Sequence, residues 1–471
     1  MSLAAELSRA FHAIAAAEAP APVSAHLRTL IIDALACMLA GADAESVAIA
    51  KAAASTGVTG AGSATILPGG PSASAANAAL VNGTMLRSLD FMDVYVDVDV
   101  CHPSESIPPA LACAEANRAS GRDFLDTVLA ALAMQAHLAS TIALHRNGLH
   151  HVGHAAWVVP LIAGRLSGLG EEGAAEALNL SASGLIVPEG FSRGEVANVK
   201  AMAFALLAKR AIELTELASA GLRAQAQACE EVIRLLERLM GREINPASLL
   251  LPADLGAVAD ITLKAYPAQY ALQPLIAAGA AFRLQQADRV ARIARIVVRA
   301  PQQTVRRTAD PSKFRPASRE TADHSLPFCV ASGLLDGGLT VAGLQEGRWK
   351  DADVLQLMDR MAVEATGEDD AFAVEGQEIE LTFDDGSSTR LDCTYPVDGD
   401  SWRAIAIGKL TAFAGDRIDV ERVVAIVETL EHEETVEPLI AALGADFDSL
   451  HRQPTTASTG CQDRRDRALK K

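Results

Sequence analysis

Residues 249–267, "LLLPADLGAVADITLKAYP", separate two hydrophobic patterns in the chain. Before them, apolar residues recur at helical spacing in segments divided by short Gly, Pro and Ser loops, a pattern typical of α-helices. The clearest of these segments are residues 27–42, 72–91, 123–144 and 199–221. Gly41 stands where the first helix should end, and Ser72 or Ser74 is placed to cap the second.

The pattern that follows residue 260 is different. Four short segments are rich in β-branched residues and alternate as strands do, which predicts strands at 261–267, 291–300, 377–383 and 388–395. A helix is predicted at 274–287. Helical patterns return at 422–432 and 435–447.

These patterns predict a mainly α protein with a large helical domain and a smaller inserted α+β domain. The helical domain should be discontinuous, built from residues 1–257 and 405–455, with the α+β domain at 258–404. Residues 456–471 are polar and are predicted to be disordered.

Composition and charge restrict the function. The 471 residues are 50% hydrophobic and 4% aromatic, and the net charge is −18. An acidic protein of this kind is unsuited to nucleic acid and to anionic membrane surfaces, both of which demand basic partners. An anionic substrate would therefore need a local basic pocket.

The cysteines and the N-terminus indicate a cytoplasmic protein. The seven cysteines are an odd number and form no CxxC pair, which is typical of a reduced compartment and not of a disulfide framework or a zinc site. The first residues lack the features of a signal peptide. No run of 18 uninterrupted apolar residues predicts a membrane span.

The segment "SLDFMDVYVDVDVCHPSE" holds a first candidate for chemistry. Asp90 and Asp93 follow a helical pattern, and a carboxylate pair there could orient His102 and set its proton affinity for acid–base work. Asp97 and Asp99 are interpreted as part of a solvated acidic loop. A calcium loop is excluded because its glycine and closing glutamate are missing.

The segment "GLHHVGH" holds a second candidate. The spacing of His150 and His154 would place two imidazoles on one helix face, as in metal sites. No glutamate follows His150 and no third ligand lies downstream, so zinc is disfavoured. We interpret these histidines as substrate-binding, with a purely structural role as the alternative.

Two lysines lie within apolar sequence. Lys200 and Lys264 are either long side chains that reach the surface or cations of a buried pocket. Together with nearby histidines, they favour a pocket for a carboxylated substrate.

The loop "SKFRPASRETADHSLPF" is the last candidate. Arg315, Arg319, Asp323, His324 and Ser325 crowd this segment before an apolar helix, and Ser325 or Asp323 is the expected N-cap. Adjacent residues do not form a Ser-His-Asp triad. No nucleophile elbow, Walker loop or dinucleotide fingerprint is present.

Taken together, these segments resemble the MmgE/PrpD family, which contains 2-methylcitrate dehydratases, cis-aconitate decarboxylase and iminodisuccinate epimerase. The resemblance runs from about residue 27 to 400. It rests on the segments quoted above and on "VANVKAMAFALLA" and "LKAYPAQY". It implies a homodimer with no obligatory cofactor or metal and an active site between the two domains.

The resemblance also implies site residues. By position, the catalytic residues would be Asp90, His102, His150, Lys200 and Lys264. Residues expected to bind substrate are Asp93, His154, Tyr266, Gln269, Arg319 and His324. Two departures stand out: Val94 replaces the family's threonine, and Gln269 (or Ala271) replaces a histidine.

The function that the resemblance implies is a cofactor-independent lyase that eliminates water from a 2-hydroxy tricarboxylate. A decarboxylase or an epimerase acting on a related di- or tricarboxylate through the same carbanion is the alternative, although the departures count against decarboxylation. A catalytically silent carboxylate-binding protein is the further alternative.

Overall fold

The structure is a computed structural model of the chain. It describes residues 1–444 except 56–63, 193, 253–254, 368–373, 375, 396–398 and 416–417. The tail predicted to be disordered, 456–471, lies outside the described residues.

The N-terminal half is helical. Its helices are α1 (Leu3–Ala15), α2 (Ala21–Gly41), α3 (Glu45–Ser55), α4 (Ala75–Arg87), α5 (Ile107–Ala116), α6 (Gly121–Thr141), α7 (Ala155–Leu166), α8 (Gly170–Ser181), α9 (Ala203–Ser219), α10 (Ala228–Met240) and α11 (Gly256–Ala259). Ser74 is the N-cap of α4, because its side chain accepts the Asn77 N–H. Gly41 ends α2, and a Cβ there would lie 2.1 Å from the Met85 carbonyl oxygen, so the glycine permits close packing of α2 on α4.

Helix α2 is apolar and long enough to cross a membrane by length and composition alone. However, 78% of its most apolar window is buried inside the protein. It is therefore packed as the central helix of a core, in contact with α4 and with the C-terminal helix α19 (Gly399–Ala414).

Two short hairpins interrupt the helices. Strands β1 (Ala64–Thr65) and β2 (Ser72–Ala73) pair antiparallel, as do β3 (Tyr95–Val96) and β4 (Val100–Cys101). The second hairpin fixes the direction of the chain just before His102, where a 3₁₀ turn from Pro103 to Ser106 begins.

The α+β part follows residue 270. Its helices are α12 (Gln273–Gln285), α13 (Ala287–Val290), α14 (Gln302–Thr308), α15 (Arg319–Ala322), α16 (Leu326–Asp336), α17 (Val341–Glu346) and α18 (Ala352–Met358). Its strands are β5 (Ile293–Pro301), β6 (Met361–Thr366), β7 (Glu378–Phe383) and β8 (Ser388–Asp392), in the order β6-β5-β7-β8. Strand β5 is parallel to β6 and antiparallel to β7. Ser325 caps α16, as one of the two predicted alternatives.

The prediction of a strand at 261–267 is wrong. That segment forms only an isolated bridge, in which Thr262 and Val94 exchange backbone hydrogen bonds of 2.8 Å. Three other predicted strands are confirmed, although β8 ends at Asp392 and not at 395. A pattern of alternating residues is not enough for a strand when no neighbouring strand continues the ladder.

The chain returns to helix at the C-terminus. Helix α19 is followed by α20 (Val420–Thr429) and α21 (Glu437–Gly444). The first hydrophobic core combines residues between 3 and 263 with residues 402–443, together with Val341. The second core lies between residues 268 and 383. The protein is thus mainly α with a small α+β part, as predicted, while the predicted domain boundaries stay predictions.

Candidate active site

A cavity of about 350 Å³ is lined by residues from both parts of the chain. Seven of the eleven predicted site residues line it. They are Asp90, His102, His150, Lys200, Lys264, Gln269 and His324. The lysines, histidines and the aspartate converge although the set spans more than 200 positions of the sequence, from Asp90 to His324.

Asp90 is the centre of this pocket. Its backbone adopts the left-handed conformation, with φ of 49°, which is uncommon for a residue other than glycine. Its carboxylate lies 3.1 Å from Lys200 Nζ, 3.0 Å from Lys264 Nζ and 3.2 Å from His324 Nε2. Burial alone would raise the pKa of Asp90, but Lys200, Lys264 and His324 outweigh it and hold the pKa well below its usual range. Asp90 is therefore a fixed carboxylate anion.

Lys264 is fully buried beside this carboxylate. Burial lowers the pKa of Lys264, and Asp90 opposes that shift. The alternative in which this lysine reaches the surface is therefore wrong. The Lys264 ammonium group can be buried because the Asp90 carboxylate pairs with it.

Lys200 also contacts a hydrogen-bonded pair, Asp323 and His324, that the sequence did not reveal. His324 Nδ1 is hydrogen bonded to Asp323, which accepts, so Nδ1 carries the proton and Nε2 is the acceptor for Lys200 Nζ at 2.8 Å. Burial, and then Lys200, lower the pKa of His324. Asp323, His324 and Lys200 thus form a chain of hydrogen bonds that ends at Asp90.

His102 is held in place by a hydrogen bond from one of its two ring nitrogens. Its Nδ1 donates to the Asp93 carbonyl oxygen at 2.6 Å, which leaves the lone pair on Nε2. Burial, followed by Arg87 and Lys264, holds the pKa of His102 well below its usual range. A neutral imidazole of this tautomer is equipped to accept a proton.

Asp93 supports His102 but does not line the cavity. Its carboxylate accepts from the Ser104 backbone N–H and from the Ser104 hydroxyl at 2.6 Å. Burial raises its pKa to about 7, against the effect of Ser104. Asp93 therefore positions the turn after His102, and the structure places it behind the pocket wall.

The interpretation of Asp99 as a solvated residue is wrong. Asp99 is 1% exposed and accepts from the His145 backbone N–H at 3.0 Å and from His145 Nδ1 at 2.5 Å. Asp97 is exposed, as predicted. Both aspartates lie in the turn between β3 and β4, so their burial follows from contacts with other segments, such as that of Asp99 with His145, and not from a strand alternation.

The prediction that His150 and His154 lie on one face of a helix is wrong as well. His150 precedes a 3₁₀ turn from His151 to His154, and its Nδ1 accepts from the Val152 N–H at 3.2 Å. His154 is fully buried and does not line the cavity. His145 and His151 do line it. His151 belongs to the candidate segment "GLHHVGH", whereas sequence reasoning missed His145.

Three other predicted residues have different surroundings. Tyr266 and Arg319 do not line the cavity. Arg319 donates to the Ser88 carbonyl oxygen and pairs with Glu320, and the Tyr266 ring packs near Gly338. Gln269 lines the cavity, and its side-chain oxygen accepts from the Ala271 N–H at 2.8 Å.

Arginines complete a basic pocket. Arg87 lines the cavity and pairs with Glu105 at 2.6 Å, with both side chains 2% exposed. Burial raises the pKa of Glu105 to about 7, although Arg87 opposes that shift. Arg146, Arg306 and Arg307 also line the cavity. A signal for Arg87 was present in the sequence, since an arginine inside the apolar pattern of α4 needs a buried partner.

Fold and pocket together define a class: a mainly helical protein in which a basic cavity, between a helical core and an α+β core, holds one carboxylate, two lysines and several neutral histidines. The chain belongs to the MmgE/PrpD family. The MmgE/PrpD N-terminal domain matches residues 5–246, and the MmgE/PrpD C-terminal domain matches residues 266–429. The predicted family is thereby confirmed.

One curated relative is cis-aconitate decarboxylase from Homo sapiens. It is 28% identical over 334 residues, which are 66% of this chain and 66% of that protein. The chain therefore spans just under two thirds of the length of the curated relative it matches.

Proposed function

We propose that the protein is a lyase that eliminates water from a 2-hydroxy tricarboxylate, in the manner of a 2-methylcitrate dehydratase. The observation that carries the proposal is the pairing of Asp90 with Lys200 and Lys264 in a cavity that also presents the unprotonated Nε2 of His102. Elimination of water needs a base for the carbon-bound proton and an acid for the leaving hydroxyl. The pocket supplies groups of both kinds.

His102 is the proposed base. Its neutral Nε2 removes the proton on the carbon next to a substrate carboxylate. The negative charge that develops on that carboxylate is stabilised by the cations of Lys264 and Lys200, which Asp90 holds in place. Because these charges are fixed and buried before the reaction begins, little reorganisation is needed.

Lys200 is the proposed acid for the leaving hydroxyl. Its ammonium group gives a proton to the departing oxygen, and the neutral amine that remains is hydrogen bonded to His324. Asp323 keeps the His324 ring in the orientation that this contact needs. His150 lines the same cavity and is the proposed hydrogen-bond partner of a second substrate carboxylate.

The charge of the pocket supports a substrate with several carboxylates. Lys200, Lys264, Arg87, Arg146 and Arg306 all line the cavity in a chain whose net charge is −18. Concentrated positive charge in an acidic protein attracts and orients a polyanion.

Decarboxylation of a related tricarboxylate is the second candidate, favoured by the name of the human relative. It proceeds through the same kind of carbanion and needs only one proton donor. Val94 counts against it because a hydroxyl is missing where the family has threonine. Gln269, which stands in place of a histidine, counts against it in the same way.

The test is an NMR assay of the purified chain with 2-methylcitrate, citrate and cis-aconitate, each in deuterated buffer. We expect loss of water from a hydroxy tricarboxylate to give an alkene. A loss of carbon dioxide would replace the proposal with decarboxylation, and exchange of a carbon-bound proton without a new product would replace it with epimerisation. The Asp90→Asn variant is the negative control, in which the reaction should be lost. Absence of every reaction in the unaltered chain would favour a silent carboxylate-binding protein.

We also propose a cytoplasmic homodimer. The six described cysteines are free, as expected for a reducing compartment. Leu235 and Leu239 of α10 are exposed one helical turn apart, and Leu206 and Leu217 of α9 are exposed as well. Apolar residues of this kind support a contact with a second copy.

A further inference from the structure

Arg87, in the last turn of α4, is tied to the residues around the buried carboxylate. Its backbone carbonyl oxygen accepts from the Asp90 N–H at 3.2 Å, and its Nε donates to the Lys200 carbonyl oxygen at 3.3 Å. Its side chain is 2% exposed. The guanidinium group therefore has a fixed position relative to Asp90 and Lys200.

The ion pair between Arg87 and Glu105 uses only part of the guanidinium group. Arg87 Nη1 donates to Glu105 Oε1 at 2.6 Å. The other carboxylate oxygen, Oε2, is buried without a hydrogen-bond partner among the described residues and lies 3.7 Å from His151 Nε2. Arg87 Nη2 also has no partner in the part of the chain that the structure describes. Because the pair is held through a single nitrogen, both N–H donors of Nη2 remain for a ligand.

Arg87 presents these donors next to the proposed base. Arg87 lines the cavity, whereas Glu105 does not. Burial is the main cause of the low pKa of His102, and the charge of Arg87 is the next, which indicates that the guanidinium group is near that imidazole. Guanidinium donors match the geometry of a carboxylate, so the chemical class of ligand that fits here is a carboxylate.

We propose that Arg87 binds, through Nη2, the second carboxylate of the substrate, which takes no part in the elimination. This inference rests on the proposed function, in which Lys200 and Lys264 stabilise the carboxylate next to the abstracted proton. His150 belongs to the same subsite. Its Nδ1 accepts from the Val152 N–H, so Nε2 carries the proton and donates to that carboxylate.

Glu105 is the positioning residue of this subsite. Glu105 holds Nη1 of Arg87 while the Lys200 carbonyl oxygen holds Nε, so the plane of the guanidinium group is fixed before the substrate arrives. A donor that is already ordered loses little conformational freedom on binding. A lysine at position 87 would have a single nitrogen, and Glu105 would pair with it, so the substrate would lose its donor.

The test measures binding of tricarballylate to the purified full chain by isothermal titration calorimetry. Tricarballylate is a tricarboxylate without a hydroxyl group, so it does not lose water and the measurement is independent of the lyase reaction. We expect Arg87→Gln to weaken binding by roughly 10–100-fold, because the lost hydrogen bond joins two charged groups. Arg87→Lys should weaken binding almost as much, since its ammonium group pairs with Glu105.

Arg28→Gln is the matched control. The Nε of Arg28 donates to a backbone carbonyl oxygen at 3.3 Å and its Nη2 pairs with Glu431 at 2.6 Å, an arrangement like that of Arg87. Arg28 does not line the cavity. Its replacement should leave the affinity for tricarballylate unaltered.

A second pair of variants covers the case in which Arg87→Gln does not fold because Glu105 is left buried without its partner. Glu105→Gln keeps an amide oxygen that accepts from Arg87 Nη1, so it should weaken binding less than Arg87→Gln does. The double variant Arg87→Gln, Glu105→Gln removes both charges and should bind as weakly as Arg87→Gln. Circular dichroism checks that each variant is folded.

Three results would overturn the inference. They are absence of binding to the unaltered chain, an affinity of Arg87→Lys equal to that of the unaltered chain, and equal affinities of the folded Glu105→Gln and double variants. The expected affinities without loss of water from any hydroxy tricarboxylate in the NMR assay would instead overturn the lyase reaction and leave the carboxylate subsite in place.

Discussion

Lys264 Nζ donates to Asp90 twice, to the backbone carbonyl oxygen at 2.8 Å and to Oδ1 at 3.0 Å. The backbone of Asp90 is left-handed, a conformation that costs about 1–3 kcal/mol for a residue with a side chain. One lysine thus compensates both the buried charge and the strained backbone of the same residue. It also links the segment after α4 to the segment that follows the helical N-terminal half.

Replacing this lysine should affect stability and turnover together. Lys264→Gln leaves the Asp90 carboxylate buried with one partner fewer, and breaking a buried ion pair typically costs about 3–5 kcal/mol. We expect a loss of stability of that order in chemical denaturation. We also expect turnover to be lost in the fraction that remains folded, because the pocket loses the cation next to the reacting carboxylate.

Lys409→Gln is the matched control for this prediction. Lys409 is buried in the same way and pairs with Asp33 at 2.7 Å, while its Nζ also donates to the Phe91 carbonyl oxygen. It does not line the cavity. We expect a similar loss of stability with most of the turnover retained per folded molecule. Equal turnover in the two variants would contradict the role given to Lys264.

His102 provides the second prediction. His102→Asn removes the titratable Nε2, while the asparagine amide can still donate to the Asp93 carbonyl oxygen. Loss of a general base typically lowers the rate by about 10²–10⁴-fold. Since the hydrogen bond to Asp93 is replaced, stability should change by no more than about 1 kcal/mol. Turnover and the melting temperature measured on one preparation check both statements, and near-normal turnover would remove His102 from the mechanism.

The third prediction concerns Asp323, which does not line the cavity. Asp323→Asn replaces a carboxylate that only accepts by an amide whose NH2 can donate to His324 Nδ1. The ring can then carry its proton on Nε2 and no longer accept from Lys200. We expect turnover to fall by roughly 10²-fold, with a smaller change in KM. The pH profile of kcat should shift, because the environment of the proposed acid has changed.

Asp336→Asn is the control for the Asp323 variant. It makes the same chemical change at a partly exposed aspartate that pairs with Arg348. Surface pairs contribute about 0–1 kcal/mol, so turnover and its pH profile should be unaltered. A pH profile of Asp323→Asn that coincides with that of the unaltered chain would reduce Asp323 to a structural role.

Much of the fold follows from local pattern. Helices α2, α4, α6 and α9 were predictable because their apolar residues repeat at helical spacing over several turns. Strands β5 and β7 were predictable because β-branched residues alternate there. The segment 261–267 has a similar alternation but lacks a partner strand, and a partner is a tertiary property that the segment itself does not encode.

The site was predictable only in part. Asp90, His102, His150, Lys200 and Lys264 line one cavity, as the resemblance to the family implied. The pairing of Asp99 with His145 and of Asp323 with His324 was not foreseen. Whether a polar residue is buried against a partner depends on contacts between distant segments, which spacing along the chain does not reveal.

The last prediction concerns stability and pH. Burial lowers the pKa of His154 to about 4 from an ordinary value near 6.5, and Asp99 only partly opposes this. Between these two pH values the unfolded chain binds a proton at this position and the folded chain does not. The contribution of the neutral ring to stability is therefore fully present above about pH 6.5 and is lost as the pH falls towards 4.

Replacing His154 with glutamine removes this one titration and leaves the other buried histidines in place. At about pH 5 the proton bound by the unfolded state costs the unaltered chain about 2 kcal/mol, and the variant avoids that cost. On going from about pH 7.5 to pH 5, we therefore expect His154→Gln to lose about 2 kcal/mol less unfolding free energy than the unaltered chain. Urea denaturation of both proteins at the two pH values measures this difference. An equal loss in the two proteins would show that His154 is protonated in the folded state at pH 5, in contradiction to its burial without a partner among the described residues.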